Sequence, residues 1–248
     1  MLYAKSPITE AIIGLRLANR IEDKELEKLK DELRKDYPFG GAYYEFNYES
    51  HSSREGNVSS HTHQALNAYH LRDNTALNQV LVGFQLLSTS RLAPYEGWEA
   101  LSAKAFDNYQ RHRQAVGYRR IDHIGIRFIN RLDLPLGGDV DIDLSKYLNI
   151  SPSGLPIPGS IARYFMSIQV IHPSGCHILI QTGVAPPALI DHMAVMLDID
   201  VAVRDDAVPQ NPNEIATLLV HLRAVKNDVF ERLITDKARL LFEPKDPS

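Results

Sequence analysis

The chain has 248 residues, of which 44% are hydrophobic, and its 27 basic and 31 acidic side chains give a formal net charge of −4. This composition supports a sizeable core in one large domain or two small ones, and the acidic balance disfavours a general nucleic-acid-binding protein. The single cysteine, Cys176, excludes an intrachain disulfide, and the lack of a signal-like start or of an apolar run of membrane-spanning length predicts a cytoplasmic protein with no membrane partner.

The sequence over residues 1–117 predicts a strand, a helix, several strands and a long helix, in that order. Leu26, Leu29 and Leu33 recur at helical spacing, whereas Tyr44 and Phe46 alternate with polar residues as in a strand. The predicted elements are a strand over 11–17, a helix over 22–37 capped by Asp23, a strand over 43–49, a polar loop over 50–60, strands over 66–71 and 80–92, a turn over 93–97 and a helix over 98–113.

Residues 118–248 predict a similar order of elements. Ile215, Leu218, Leu222 and Val225 lie on one face of a long helix that Asn213 can cap. The predicted elements are a strand over 121–134, a helical turn over 144–148, an irregular loop over 151–160, strands over 163–171, 177–184 and 193–203, the long helix over 214–233, and a short helix after residue 235.

A ten-residue motif occurs twice at an offset of 111 residues, as IGLRLANRIE over 13–22 and IGIRFINRLD over 124–133. With the shared order of elements, it predicts two repeats, residues 1–117 and 118–248, packed as one pseudo-symmetric domain. The predicted fold class is α+β: a duplicated strand-helix-strands-helix unit whose antiparallel sheet carries the long helices on one face. This arrangement resembles the saddle of the TATA-binding protein or a helix-grip fold, an analogy that fixes no function.

The face of the sheet away from the helices is predicted to carry charged residues. Because strand side chains alternate between faces, the apolar rows of the strands over 121–134 and 193–203 leave an opposite row that is polar. We place Arg16, Arg20, Arg127, Arg131, Asp198 and Asp200 there. Either the arginines converge on an anionic ligand such as a phosphate or carboxylate, or they pair with the aspartates and stabilise the sheet. Gly14 and Gly125 mark either a close approach of another group or a local twist.

Other residue clusters give weaker signals. Asp198 and Asp200 share a strand face that is compatible with a metal ion, and Asp139, Asp141 and Asp143 alternate in the same way, but neither set follows a recognised metal motif. The histidines at 51, 61, 63 and 70 lie in a polar stretch without a completing ligand, so no metal site is predicted. No motif places a nucleophile beside Asp191-His192 or activates Cys176, and no phosphate or dinucleotide loop predicts a cofactor.

Five segments carry a resemblance to a known family. They are SPITEAI over 6–12, LAPYEGW over 92–98, IGIRFINR over 124–131, LDID over 197–200 and KNDVFERLIT over 226–235. In this order they resemble a sporadically distributed bacterial and archaeal protein family of about 250 residues with no assigned function. The resemblance implies no catalytic residues; members of that family often have a tidy hairpin where residues 50–78 lie here.

These observations favour a non-enzymatic binding or regulatory module whose open sheet face binds an anionic small molecule or a protein partner. The alternative is a metal-assisted hydrolase that uses Asp198 and Asp200, and a third option is nucleic-acid binding on the saddle, which the acidic charge disfavours. The apolar C-terminal helix, with Phe230 and Leu233 near its end, could also bury surface in a homodimer.

Overall fold

The structure, a computed structural model, describes residues 3–52, 58–136, 142–152 and 161–244, and within them omits the side chains of residues 45–65. The helices and strands in chain order are β1 (Ile8–Leu17), α1 (Asp23–Leu33), β2 (Phe39–Ser52), β3 (Val58–Arg72), β4 (Asn78–Gly83), β5 (Leu86–Leu92), α2 (Trp98–Val116), β6 (Ile121–Pro135), β7 (Phe165–Ile171), β8 (His177–Ala185), β9 (His192–Arg204), α3 (Pro212–Leu233) and α4 (Asp236–Leu241). None of the described helices is long and apolar enough to cross a bilayer.

The nine strands within the described ranges form one antiparallel sheet in the order β2-β3-β4-β5-β1-β6-β9-β8-β7. The two copies of the repeated motif start within β1 and β6, which are paired at the centre of the sheet, and Gly14 lies directly opposite Gly125. The sheet therefore runs without interruption from the strands of residues 1–117 to those of residues 118–248 through this central pair. The α+β class with an open antiparallel sheet is confirmed, and the repeat boundary near residue 117 stays a prediction.

The core lies between one sheet face and the helices. In β6 the side chains of Ile124, Ile126, Phe128 and Leu132 are buried, and the alternate residues face away from the helices, as the period-two pattern predicts. Helix α2 packs on β5 and β1, whereas α3 packs on β9 and β6. Each buried Ile or Leu contributes about 1.5 to 3 kcal/mol of transfer free energy, so this apolar row is a main source of stability.

Both predicted helix caps are corrected by one or two residues. Glu22, and not Asp23, caps α1, since its side chain and that of Glu25 form a reciprocal capping box. The cap of α3 is Asn211, whose side chain accepts from the Asn213 amide, and Pro212 occupies the first helical turn. Helix α1 also ends at Leu33 and not at residue 37, because the Leu33 carbonyl accepts from two following amides in a tight turn.

One strand prediction and one loop prediction for the first half are also corrected. The segment over 80–92 is a hairpin of β4 and β5, because a turn at Phe84 and Gln85 is held by their carbonyls, which accept from the Ile21 and Leu17 amides. The predicted loop over 50–60 is shortened from both ends, since β2 continues to Ser52 and β3 begins at Val58; residues 53–57 lie outside the described part. Most of the loop predicted over 151–160 also lies outside it.

Phe230 does not face the surface as the homodimer prediction required. It is buried and meets the ring of Tyr3 at 6.4 Å and that of Phe242 at 6.3 Å between ring centroids. The chain ends are joined here, since Tyr3 forms a β-bridge with Pro244. Phe230 therefore stabilises its own chain, and a homodimer cannot rest on it.

Candidate functional site

The sheet face that no described helix covers carries a row of charged residues across its central strands. Glu10 and Arg16 of β1, Arg127 and Arg131 of β6, and Asp198 and Asp200 of β9 lie on it, as expected from the alternation. The strand register decides which of these side chains meet.

The structure brings Arg127, Asp198 and Asp200 together. Asp200 lies directly opposite Arg127, but the guanidinium reaches diagonally to Asp198, with Nε at 3.0 Å from both carboxylate oxygens and Nη2 at 2.6 Å from Oδ2. Asp198 is 2% exposed. The arrangement is a bidentate, charge-assisted pair, so Arg127 is already satisfied by its own chain.

Asp200 lies beside this pair, and the positive charges near it offset its burial less completely than Arg127 offsets that of Asp198. Burial raises the pKa of Asp200, the nearby Asp198 carboxylate raises it further, and Arg127 and Arg204 lower it. The carboxyl group therefore holds its proton to a higher pH than an exposed aspartate does.

Arg16 and Arg131 share the face with Arg127 but do not converge on it. Arg16 lies opposite His123, so each arginine is four residues, or about 13 Å, from Arg127 along the strands. Arg16 Nε donates to Asp122 at 2.9 Å and Arg131 Nε to Asp133 at 2.9 Å. Among the described residues, the buried Nη2 of Arg131 is the side-chain nitrogen that lacks a partner.

The prediction that Arg20 lies on the open face is wrong. Arg20 follows the end of β1, and its guanidinium stacks on the Phe84 ring at 3.4 Å from the ring centroid, with Asp23 at 3.9 Å. Because the strand alternation stops at Leu17, it cannot set the direction of this side chain.

The glycine at position 125 of the repeated motif has a packing reason. A Cβ atom on Gly125 would lie 3.1 Å from both the His123 Nε2 atom and the Ala202 Cβ atom. The group that approaches the glycine closely is therefore the chain's own imidazole. Burial lowers the pKa of His123, and the charges of Arg16 and Arg204 lower it further, so this ring loses its proton at a lower pH than an exposed histidine does.

The described residues give little support to a metal centre. No group of three His, Cys, Asp or Glu side chains in those parts of the chain could hold an ion. Asp143 caps a short 3-10 turn by accepting from the Ser145 amide, whereas residues 139 and 141 and the side chains of histidines 51, 61 and 63 lie outside the description. His70 bonds Gln79 at 2.7 Å.

A groove of about 470 Å³ opens on the same uncovered face, in the half formed by β1 to β5. Sequence analysis did not predict it. The groove is lined by Glu10, Ile12, Tyr43, His70, Gln79, Leu81, Ser88 and Ser90. Its volume falls in the range of small-molecule sites. A second cavity, an apolar crevice between α2 and α3, has about 10 Å³, which is the space of one water molecule.

The groove could not be found from local sequence, because its lining comes one or two residues at a time from five strands. The only available signal was the polar row of β5, where Ser88 and Ser90 alternate with buried residues. Glu10 joins the groove to the central charged row, since its charge acts on Arg127.

Comparisons with known proteins identify no family. No protein-family model matches the chain, and no curated protein sequence matches it at the significance required. A solved structure described as "KH domains" is similar over 97% of this chain and 66% of its own length, with 7% identity and a TM-score of 0.21. The chain spans about two thirds of the length of that structure, and at this TM-score the likeness carries no argument.

Proposed function

We propose that this protein is a non-enzymatic binding module whose open sheet face holds a small polar molecule in the groove. The observation that carries the proposal is the groove itself: a concave space of about 470 Å³ on the face that the helices leave uncovered. Its walls combine apolar side chains, which can receive a flat ring, with hydroxyl, amide and imidazole groups, which can orient one.

The charge of the lining argues for the class of ligand. Glu10 is the only Asp, Glu, Lys or Arg side chain among the described lining residues. A neutral or cationic polar molecule with one flat apolar face fits this lining better than an anion does. The Tyr43 ring, 59% exposed at the rim, is free to stack on such a molecule.

Binding of an anion at the arginines, which the sequence favours, has weaker support from the geometry. Arg127, Arg16 and Arg131 each contact a carboxylate of the same chain, at 2.6 to 2.9 Å in the three ion pairs. An incoming anion would compete with these carboxylates for the guanidinium groups, and an anion that displaced Asp198 would leave that carboxylate buried without its partner.

The test is a fragment screen by two-dimensional NMR on the wild type and two tryptophan variants. Leu81→Trp fills the groove, whereas Leu179→Trp places the same ring at a half-buried leucine of β8 on the same face, outside the groove. Fragments should shift the amide signals of Ile12, Leu81 and Ser88 in the wild type and in Leu179→Trp. The proposal fails if no fragment does so, or if Leu81→Trp binds as the wild type does.

Matched fragments that differ only in an amine, an amide or a carboxylate decide the ligand class. Glu10→Gln should weaken the amine roughly tenfold and leave the amide unchanged, because only the amine has a charge-assisted bond to lose. A carboxylate fragment that binds best, and that Arg127→Gln abolishes, would restore the anionic ligand in place of this one.

A further inference from the structure

Strand β7 forms one edge of the sheet and has none of the usual protections of an edge. Its sequence, FMSIQVI, contains no charge and no proline, and its register with β8 has no bulge. All of its residues except the half-buried Met166 are exposed, Phe165 at 65% and Ile171 at 72%. Unpaired edges normally carry charges, prolines or bulges that prevent pairing with another chain.

The opposite edge, β2, is protected in these ways. It has a register shift between Tyr43 and Tyr44, and Gly40 near its start has a φ of +106°. Its sequence also includes Glu45 and Glu49. The contrast identifies β7 as the edge that is open to pairing.

Two hydrogen bonds fix which backbone groups of β7 point outwards. The Tyr164 carbonyl accepts from the Val184 amide at 3.3 Å, and the His172 amide donates to the Cys176 carbonyl at 2.8 Å. In an antiparallel pair, every second residue directs both its N–H and its C=O to the same neighbour. The even-numbered residues of β7 therefore bond to β8, and the odd-numbered ones point away from the sheet.

The residues whose backbone N–H and C=O groups point away from the sheet are Phe165, Ser167, Gln169 and Ile171. No strand in the described ranges pairs with them, since β7 ends the strand order. Their N–H and C=O groups form a continuous unpaired ladder, in which two apolar residues enclose two polar ones.

We propose that β7 pairs antiparallel with β7 of a second copy of this chain, about a two-fold axis at Ile168. In this register Ile168 faces its own equivalent, Phe165 faces Ile171, and Ser167 faces Gln169. Every outward N–H and C=O then has a partner, and apolar side chains meet apolar ones while polar meet polar. The contact is isologous and closes at two subunits.

The self-complementary order of β7 carries this choice of partner. Read in either direction, the strand presents the same order of apolar, apolar, polar, apolar, polar, apolar and apolar residues. Like charges do not meet beyond the strand, because Arg163 would face Pro173 of the second copy. One strand makes an interface below the standard size of about 1,600 Å², so the dimer should dissociate on dilution.

Because Ile168 would face itself, a charge exchange at this position tests the register directly. Ile168→Lys and Ile168→Glu place two like charges on the axis, and each variant alone should dimerise roughly tenfold more weakly than the wild type. An equimolar mixture of the two should form the heterodimer, which native mass spectrometry separates by mass.

Two proline variants test the direction of the hydrogen bonds. Gln169→Pro removes an outward N–H, so it should give a monomer whose melting temperature equals that of Ile168→Lys at a concentration where the Lys variant has dissociated. Val170→Pro removes a bond to β8 and should instead lower the melting temperature. This pair distinguishes loss of the dimer from loss of the fold.

Several outcomes would overturn the proposal. A wild type that is monomeric at every soluble concentration, or a dimer that Gln169→Pro leaves intact, excludes pairing through β7. Mixed Lys and Glu variants that stay monomeric exclude the axis at Ile168. Open filaments in place of dimers would point to a heterologous contact between β7 and β2.

Discussion

Arg127 and Asp198 form a bidentate ion pair in which one partner is buried and the other is not. The Asp198 side chain is 2% exposed and that of Arg127 is 43% exposed. The buried Asp198 carboxylate therefore depends on the guanidinium to replace its lost hydration, whereas the guanidinium remains in contact with water on one side. Removal of the arginine should consequently cost more than a surface ion pair is worth.

Arg127→Ala should lower the free energy of unfolding by about 2 to 3 kcal/mol, below the range of about 3 to 5 kcal/mol for a fully buried pair. The cost arises because the Asp198 carboxylate is left without a partner. Chemical denaturation measures it, and the double variant with Asp198→Ala should recover part of the loss. Arg16→Ala, at a half-exposed pair, is the control and should cost less than about 1 kcal/mol.

The outcome of that experiment also separates the two interpretations of the arginine row. A stability loss at Arg127 assigns it to the sheet, in agreement with its contacts. An Arg127→Ala protein that is as stable as the wild type but has lost a bound anion would assign it to a binding site instead.

Asp200→Asn should stabilise the protein at neutral pH. The folded-state pKa of Asp200 is raised by burial, so its ionisation disfavours the folded state once the pH exceeds the unfolded value of about 3.9. Asparagine removes that penalty. The advantage of the variant should shrink as the pH falls through the folded-state pKa and vanish below the unfolded value of about 3.9, where the wild-type carboxyl is protonated in both states.

Unfolding curves at several pH values check this prediction. Asp206→Asn changes an aspartate that is 99% exposed and serves as the control, with a stability profile parallel to that of the wild type. If Asp200→Asn gives the same profile as this control, the Asp200 carboxyl is not disfavoured in the fold.

The sequence predicts the fold well where a strand or helix buries one face along its whole length. In β6 and β9 the apolar residues alternate over ten or more positions, so period two identifies both the strands and the buried face. The hairpin of β4 and β5 was missed because Phe84 continues the apolar pattern through the turn. The bonds that form this turn come from Ile21 and Leu17, which are distant in sequence.

The site was predicted less completely because it depends on register. Alternation placed Arg127, Asp198 and Asp200 on one face, but it cannot show that Arg127 reaches diagonally to Asp198 and leaves Asp200 opposite. The groove requires Glu10 of β1 and His70 of β3 to face the same space, and no local pattern records that relation.

The cap of α3 offers a test at the level of single residues. Asn211→Ala should lower the free energy of unfolding by about 1 kcal/mol, because the side chain no longer accepts from the Asn213 amide. Asn213→Ala is the matched control: its side chain is exposed inside the first turn, so the change should be close to neutral. A larger loss at Asn213 would return the cap to the position that the sequence indicates.

Lys226 is a buried cation on the helix side of the sheet. Its Nζ atom lies 4.0 Å from the centroid of the Phe128 ring, and the residue is 7% exposed. The pKa of Lys226 is lowered to about 8, chiefly by burial and then by the Arg223 charge, against a smaller opposite effect of Glu231. The contact with the ring compensates only part of the lost hydration.

Lys226→Met should therefore raise the free energy of unfolding at pH 7 by on the order of 2 to 3 kcal/mol, since methionine fills the space without a charge. The folded-state pKa lies below the unfolded value of about 10.4, so the penalty in the wild type is complete below pH 8. Between those two values the wild type loses the proton in the folded state and gains stability, and the difference between the proteins should close. Lys237→Met is the control, because Lys237 also lies over a ring, that of Tyr147 at 4.7 Å, but is exposed. A constant difference across pH 7 to 10.5 would show that the Lys226 ammonium is not penalised in the core.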